Sequence, residues 1–183
     1  MIKSNKKMER EGQIIDNGNG IWLVEEYNNA DNVMVRLMGT DYRVKVSWRQ
    51  LQDARVRNPF KLNKFGGYLG VDENGKFFNF KDKRIKRAYH VWYDMLQRVS
   101  ENEMYNNVSI CERWSCFATF LSDLPLIKGY DEWVKAGKYE YCIDKDKYQL
   151  EESHKIYSVD TVCFITIREN LTMQDRNKII TKG

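Results

Sequence analysis

The densest chemistry in this sequence is cationic. Lys81, Lys83, Arg84, Lys86 and Arg87 place five positive side chains within seven residues, and Tyr89, Trp92 and Tyr93 follow directly. Such clusters attract phosphates, because neutralising a polyanion releases its condensed counterions. Lys83, Arg84, Lys86 and Arg87 are therefore candidate nucleic-acid contacts. The competing reading is a solvated face of an amphipathic helix, where most charge runs end up. Cations at the start of a helix also oppose its dipole, a local cost that a phosphate-binding role would explain. On this reading Lys86→Glu with Arg87→Glu abolishes DNA retention and leaves the fold intact. Of the two histidines, His90 sits beside the apolar face of the same helix and reads as partly buried, whereas His154 falls in a polar loop. Cys111, Cys116, Cys142 and Cys163 form no Cys-x-x-Cys pair, which favours reduced, mostly buried thiols over a zinc site.

Elements must position these groups. Ile85, Tyr89, Trp92, Leu96 and Val99 recur every three to four residues and predict a helix over about 82–100. A second helix is predicted over 112–124, where Trp114, Phe117, Phe120, Leu121 and Leu124 make the stripe and Pro125 ends it. Upstream, 21–27, 33–37 and 42–48 alternate apolar and polar residues between Asn- and Gly-rich punctuation and read as antiparallel strands, with Ile14-Ile15 a further member. Such a meander closes most simply as a small barrel-like module over 1–58, with residues 1–11 a loose lead-in or short solvated helical turn. Residues 59–70 read as a linker and 71–183 as a second module, opened by a hairpin over 71–80 around Asp72-Glu73-Asn74-Gly75. Strands at 139–143 and 161–165, joined by a polar loop, precede a closing helix over 166–178. The fold class is α+β.

Length and composition are permissive. The 183 residues, 42% hydrophobic and 13% aromatic, suffice for a packed core, and a formal charge of +4 allows an anionic partner without demanding one. No apolar run nears the roughly 20 residues of a membrane span, and the basic start lacks a signal peptide's apolar stretch. The expectation is a protein that stays in the cytoplasm, without a membrane partner.

The order strand, loop, strand, helix is the ββα arrangement of HNH nucleases, and the residues support it. Tyr105, Val108-Ser109-Ile110-Cys111-Glu112-Arg113-Trp114, Phe117, Phe120 and Asp123, then Ile143-Asp144-Lys145-Asp146, Lys155-Ile156-Tyr157-Ser158-Val159-Asp160, Cys163-Phe164 and Asn170, resemble a phage-borne HNH-related family across about 85–178. The strand-rich first region resembles, in texture, the amino-terminal module often fused to such proteins. The resemblance implies a histidine base at the end of the first strand, an asparagine that orients it, and a helix residue that helps hold a divalent ion. Here Asp144-Lys145 stands in place of Asp-His and Thr161 in place of the asparagine. A lysine with an ordinary pKa near 10.4 is protonated at neutral pH and is a poor general base.

What remains of such a site is an oxygen-ligand set of Asp144, Asp146 and Asn170 or Asp175, able to take Mg²⁺ though not requiring it. His154 is the substitute base, and Asp144 and His154 are the candidate catalytic pair. The competing reading has Asp144 and Asp146 satisfying turn amides and pairing with Lys145 or Lys155. The resemblance thus implies a phage-type nucleic-acid-binding protein, in the cytoplasm of a bacterial host, whose HNH-like domain is degenerate and inactive. Any residual activity would be that of a metal-dependent endonuclease. The alternative is a phage inhibitor of a host factor or defence system, anti-CRISPR-like or anti-restriction-like, acting through protein contacts rich in Tyr and Trp.

Overall fold

In a computed structural model the described residues are 3–137, 139–150 and 152–180, with side chains described within 6–173. The chain is α+β and divides into two compact units, Met1–Lys61 and Leu62–Gly183.

The first unit opens with α1 (Lys3–Arg10). Where a loose lead-in or single turn was expected, two helical turns form, and the Arg10 guanidinium lies over the rings of Tyr27 and Trp48 at 4.8 and 4.0 Å. Four strands follow, β1 (Ile14–Asp16), β2 (Ile21–Asn29), β3 (Asn32–Leu37) and β4 (Arg43–Val46), paired antiparallel in the order β1-β2-β3-β4. Alternation decides the faces. Trp22, Val24, Val33, Val35, Leu37 and Val46 are buried, while Arg43 and Lys45 point to solvent. The meander is as the sequence implies, but no barrel closes: β1 and β4 each pair on one side only. Four strands, two of them of three and four residues, enclose too little space to be filled by side chains. The short helix α2 (Trp48–Gln52) follows β4, started by a Ser47/Gln50 capping box, with Leu51 fully buried and Trp48 edge-on to the Tyr27 ring.

Residues 59–70 are not a free linker. Asn58 Nδ2 donates to the Asn19 carbonyl and Lys61 Nζ to Asn19 Oδ1, which ties the near end to the first unit. The Tyr68 amide donates to the Ser115 carbonyl, which ties the far end into the second.

The second unit is organised by α3 (Lys83–Glu101). Asp82 caps it, accepting from the Arg84 and Ile85 amides, and its apolar face buries Ala88, Trp92, Met95 and Leu96. The turn at Asp72–Gly75 forms, with Gly75 at φ +70°, but Lys76–Phe80 is not a strand. Phe78 and Phe80 are drawn instead into an aromatic cluster with Tyr89 and Phe117, ring centroids 5.1 to 6.4 Å apart, and burial outweighs a two-strand ladder. The helix expected over 112–124 breaks into a 3₁₀ turn (Glu112–Ser115) and α4 (Phe117–Asp123).

Two short sheets complete the unit. β5 (Val108–Ile110) pairs parallel with β7 (Lys155–Tyr157), and β6 (Tyr141–Asp144) pairs antiparallel with β8 (Cys163–Thr166), which runs straight into α6 (Ile167–Ile180). Strand, loop, antiparallel strand and helix therefore follow in the order read from the sequence, with β7 added inside the loop. Between α4 and β6 lies α5 (Tyr130–Lys135), which the sequence reading missed. It starts at Gly129, whose φ of +84° and closeness to the Phe164 carbonyl, 2.3 Å from where a Cβ would stand, leave no room for a side chain.

Candidate functional site

The cationic cluster sits on the first turns of α3, and the structure splits it. Lys83, Arg84 and Lys86 are exposed and make no ion pair among the described residues. Arg87 has another occupation: its guanidinium donates to the Ala136 and Gly137 carbonyls at 2.9 and 3.1 Å and lies 4.3 Å over the Trp133 ring. Burial holds its pKa below the usual arginine value. Arg87 therefore braces α3 against the end of α5, and Lys86→Glu with Arg87→Glu would disturb the fold as well as the charge. His90, expected partly buried, is exposed one helical turn further on; with Lys83, Lys86 and Arg87 it lines a cavity of 320 Å³. No sequence signal joins Arg87 to a segment about 50 residues away.

The loop after β6 presents the opposite picture. Asp144 ends β6 almost fully buried, and its Oδ1 accepts from the Asp146 and Lys147 amides at 3.1 and 2.8 Å. Burial pushes its pKa up. Lys145, 8% exposed, reaches Asp146 Oδ2 at 2.9 Å and lies 4.6 Å from the Tyr105 ring centroid; Lys155 reaches Asp146 Oδ1 at 2.5 Å. Burial favours the neutral form of Asp146, but hydrogen bonds from Lys155 and Lys145 prevail and hold its pKa below the carboxylate range. Gln149, which the sequence reading passed over, is the buried hub of the loop: its amide donates to the Lys145 and Ile156 carbonyls and its oxygen accepts from the Ile156 amide.

This donor set does not fit a divalent ion. Both Asp146 oxygens already carry ammonium groups, which Mg²⁺ would have to displace, and Asp144 serves the turn. Asn170 directs Nδ2 to Cys142 Sγ at 3.4 Å. The Asp175 side chain lies outside the described residues. Among those residues no group of three or more His, Cys, Asp and Glu side chains is arranged to hold a metal. His154, the candidate substitute base, is exposed, and its Nε2 shares a hydrogen bond with Ser109 Oγ at 2.8 Å rather than with either aspartate.

The other residues that carry the HNH-family resemblance do structural work. Asp123, 6% exposed, accepts two hydrogen bonds from the Arg113 fork, at 2.8 and 3.0 Å, and one from the Trp114 indole at 2.9 Å. The Arg113 hydrogen bond lowers the Asp123 pKa despite burial. The Trp114 carbonyl in turn accepts from the Trp92 indole at 2.7 Å, so the motif locks the 3₁₀ turn and α4 to α3. The four thiols are free; Cys142 and Cys163 are not directly opposed, since Cys142 faces Ile165 and Cys163 faces Asp144, and burial raises the Cys163 pKa to about 11.

No protein-family profile and no solved structure matches the chain. The chloroplastic alpha-glucan water dikinase of Solanum tuberosum is 24% identical over 171 residues, covering 86% of this chain and 11% of that protein. The chain thus spans about a ninth of the length of that curated relative, and a likeness of this depth places it in no family. Among the described residues no helix is long and apolar enough to cross a membrane.

Proposed function

We propose that the chain is a phage-type nucleic-acid-binding protein whose HNH-like module binds without cutting. The observation that carries this reading is the contrast in ion pairing: Lys83, Arg84 and Lys86 stand exposed on one end of α3 and unpaired among the described residues, whereas the polar groups at the supposed catalytic position neutralise one another through Lys145, Asp146 and Lys155. Free cations with no internal partner retain their full attraction for phosphate. A clamped carboxylate and a protonated lysine provide neither a base for water nor a seat for a metal. Four of the five tryptophans, the residues a protein-binding surface would use first, are spent on the cores: Trp22, Trp92, Trp114 and Trp133 are buried.

Binding to labelled DNA, titrated with salt, tests the proposal. Three phosphate contacts predict a log–log slope of about −2 to −3, which Lys83→Glu with Arg84→Glu and Lys86→Glu should flatten. Supercoiled plasmid incubated with Mg²⁺ or Mn²⁺ should stay intact; scission that disappears in Asp144→Ala or His154→Ala would overturn the inactive half of the reading. DNA affinity unaltered by the triple substitution would overturn the other half.

A further inference from the structure

The basic cavity on α3 holds a group that the fixed cations do not resemble. Lys83, Lys86, Arg87 and His90, which line it, follow the spacing i, i+3, i+4, i+7 and so share one face over two helical turns. Only the histidine can change its charge between about pH 5 and 8. His90 is exposed, with the Tyr89 ring edge-on beside it at a centroid distance of 6.0 Å, and neither of its ring nitrogens has a hydrogen-bond partner among the described residues. The other histidine, His154, is engaged with Ser109. Lys86 and His90 stand one turn apart, about 5–6 Å between Cβ atoms, so a phosphate oxygen in the cavity can meet both.

The charges around His90 are of both signs. On its own helix Lys86 and Arg87 precede it, while Asp94 and Arg98 follow it as one charge of each sign, with Arg98 Nε donating to the Asp94 carbonyl at 3.1 Å. Across an adjoining cleft of 190 Å³ that His90 also lines stand Tyr139, Tyr141 and Cys142, phenols and a thiol that ordinary chemistry leaves largely neutral below about pH 8. Glu140, between α5 and β6, acts on Arg87. Lys86 and Arg87 oppose a further positive charge beside them, and a phosphate seated among them removes that opposition.

We infer that His90 is a fourth phosphate contact on this face, and that the protein takes up a proton there when nucleic acid binds, so that affinity rises as pH falls from about 8 to 6. The lysine and arginine charges do not change over that range, and neither does a phosphodiester, so the fixed contacts supply no such dependence. By linkage, an anion that favours the imidazolium is itself bound more tightly by it. This inference rests on the nucleic-acid reading above and adds one contact and its control by pH.

Fluorescence anisotropy with a labelled DNA duplex at low salt, stepped from about pH 6 to 8, tests it on the full chain and on His90→Gln, which keeps a polar side chain without the titratable charge. The unsubstituted protein should bind about threefold to tenfold tighter at the acid end, and its salt slope there should be steeper by about one. His90→Gln should lose most of that dependence. The slope needs no variant, so it decides the matter even if the substitution disturbs folding. A flat profile with an unchanged slope, or a dependence that persists in His90→Gln and so belongs to another group, would overturn the His90 contact and leave Lys83, Arg84 and Lys86 standing. Absence of binding at every pH would overturn the nucleic-acid reading as well.

Discussion

Two dense groups of charge lie in the second unit, at the start of α3 and in the loop after β6, and folding treats them oppositely. In the loop the charges of 144–146 find partners: Asp146 sits between two lysines, Asp144 caps a turn, and Lys145 rests by the Tyr105 ring. On α3 only Arg87 is absorbed, while Lys83, Arg84 and Lys86 remain exposed and unpaired among the described residues. The lesson is that charge density in a sequence marks a candidate site, but binding capacity belongs to the charges that the fold leaves uncompensated. A buried, mutually paired set stabilises or specifies a loop; an exposed, like-charged set costs a little stability and is available to an anion.

That contrast can be broken by substitution. The largest effect should come from Asp146→Ala, which strands two partly buried ammonium groups and should cost about 3 kcal/mol in chemical denaturation without changing DNA affinity; a variant of unaltered stability would show that the clamp is idle. Asp123→Asn removes the charge that holds Arg113 and Trp114 and should cost about 2 kcal/mol, again with DNA affinity intact. Lys83→Glu with Lys86→Glu should do the converse, lowering DNA affinity by at least about tenfold while stability moves by no more than about 0.5 kcal/mol.

The smallest effects are expected from pH and from Asp144→Asn. Asp123 and Asp146 have folded pKa values held below their ordinary ones, so their stabilising contribution is complete above the carboxylate range and disappears as pH falls through the depressed values. Asp144 has a raised folded pKa, so its charged form costs stability at neutral pH, and that cost lessens as acid protonates it. An asparagine there keeps the oxygen that accepts the two turn amides. Asp144→Asn should thus leave stability at pH 7 unchanged or slightly higher, with a steeper loss in acid because the compensating gain from protonating Asp144 is gone; a marked loss at pH 7 would give the Asp144 charge a role that its hydrogen bonds do not explain.

Much of the architecture was legible because it rests on periodicity. The three-to-four spacing from Ile85 to Val99 gave α3 nearly to its ends, and alternation gave the first sheet and its buried face. The misses have local causes. Lys76–Phe80 reads as a strand by composition, but Phe78 and Phe80 pack against Phe117 of α4 instead; the expected barrel failed because four strands, two of them of three and four residues, enclose too little space. The candidate site was legible as a set of residue types and not as an arrangement. Asp144, Asp146 and Asn170 read as an oxygen-ligand set, with turn amides and Lys145 or Lys155 as the competing partners of the two aspartates; the structure has the latter, while the Asn170 contact with Cys142, 28 residues away, left no trace in the sequence.

The sequence alone determined the extent of α3, the strands of the first sheet, where cations are dense, and that a lysine follows Asp144. Only tertiary structure decided which of those charges stay free. Hydrophobic periodicity is a local property, encoded within a few residues of each side chain, whereas ion pairing is settled by whatever distant segment the packed core brings alongside: Trp133 and the Ala136 carbonyl for Arg87, Lys155 for Asp146, Asp123 for Arg113.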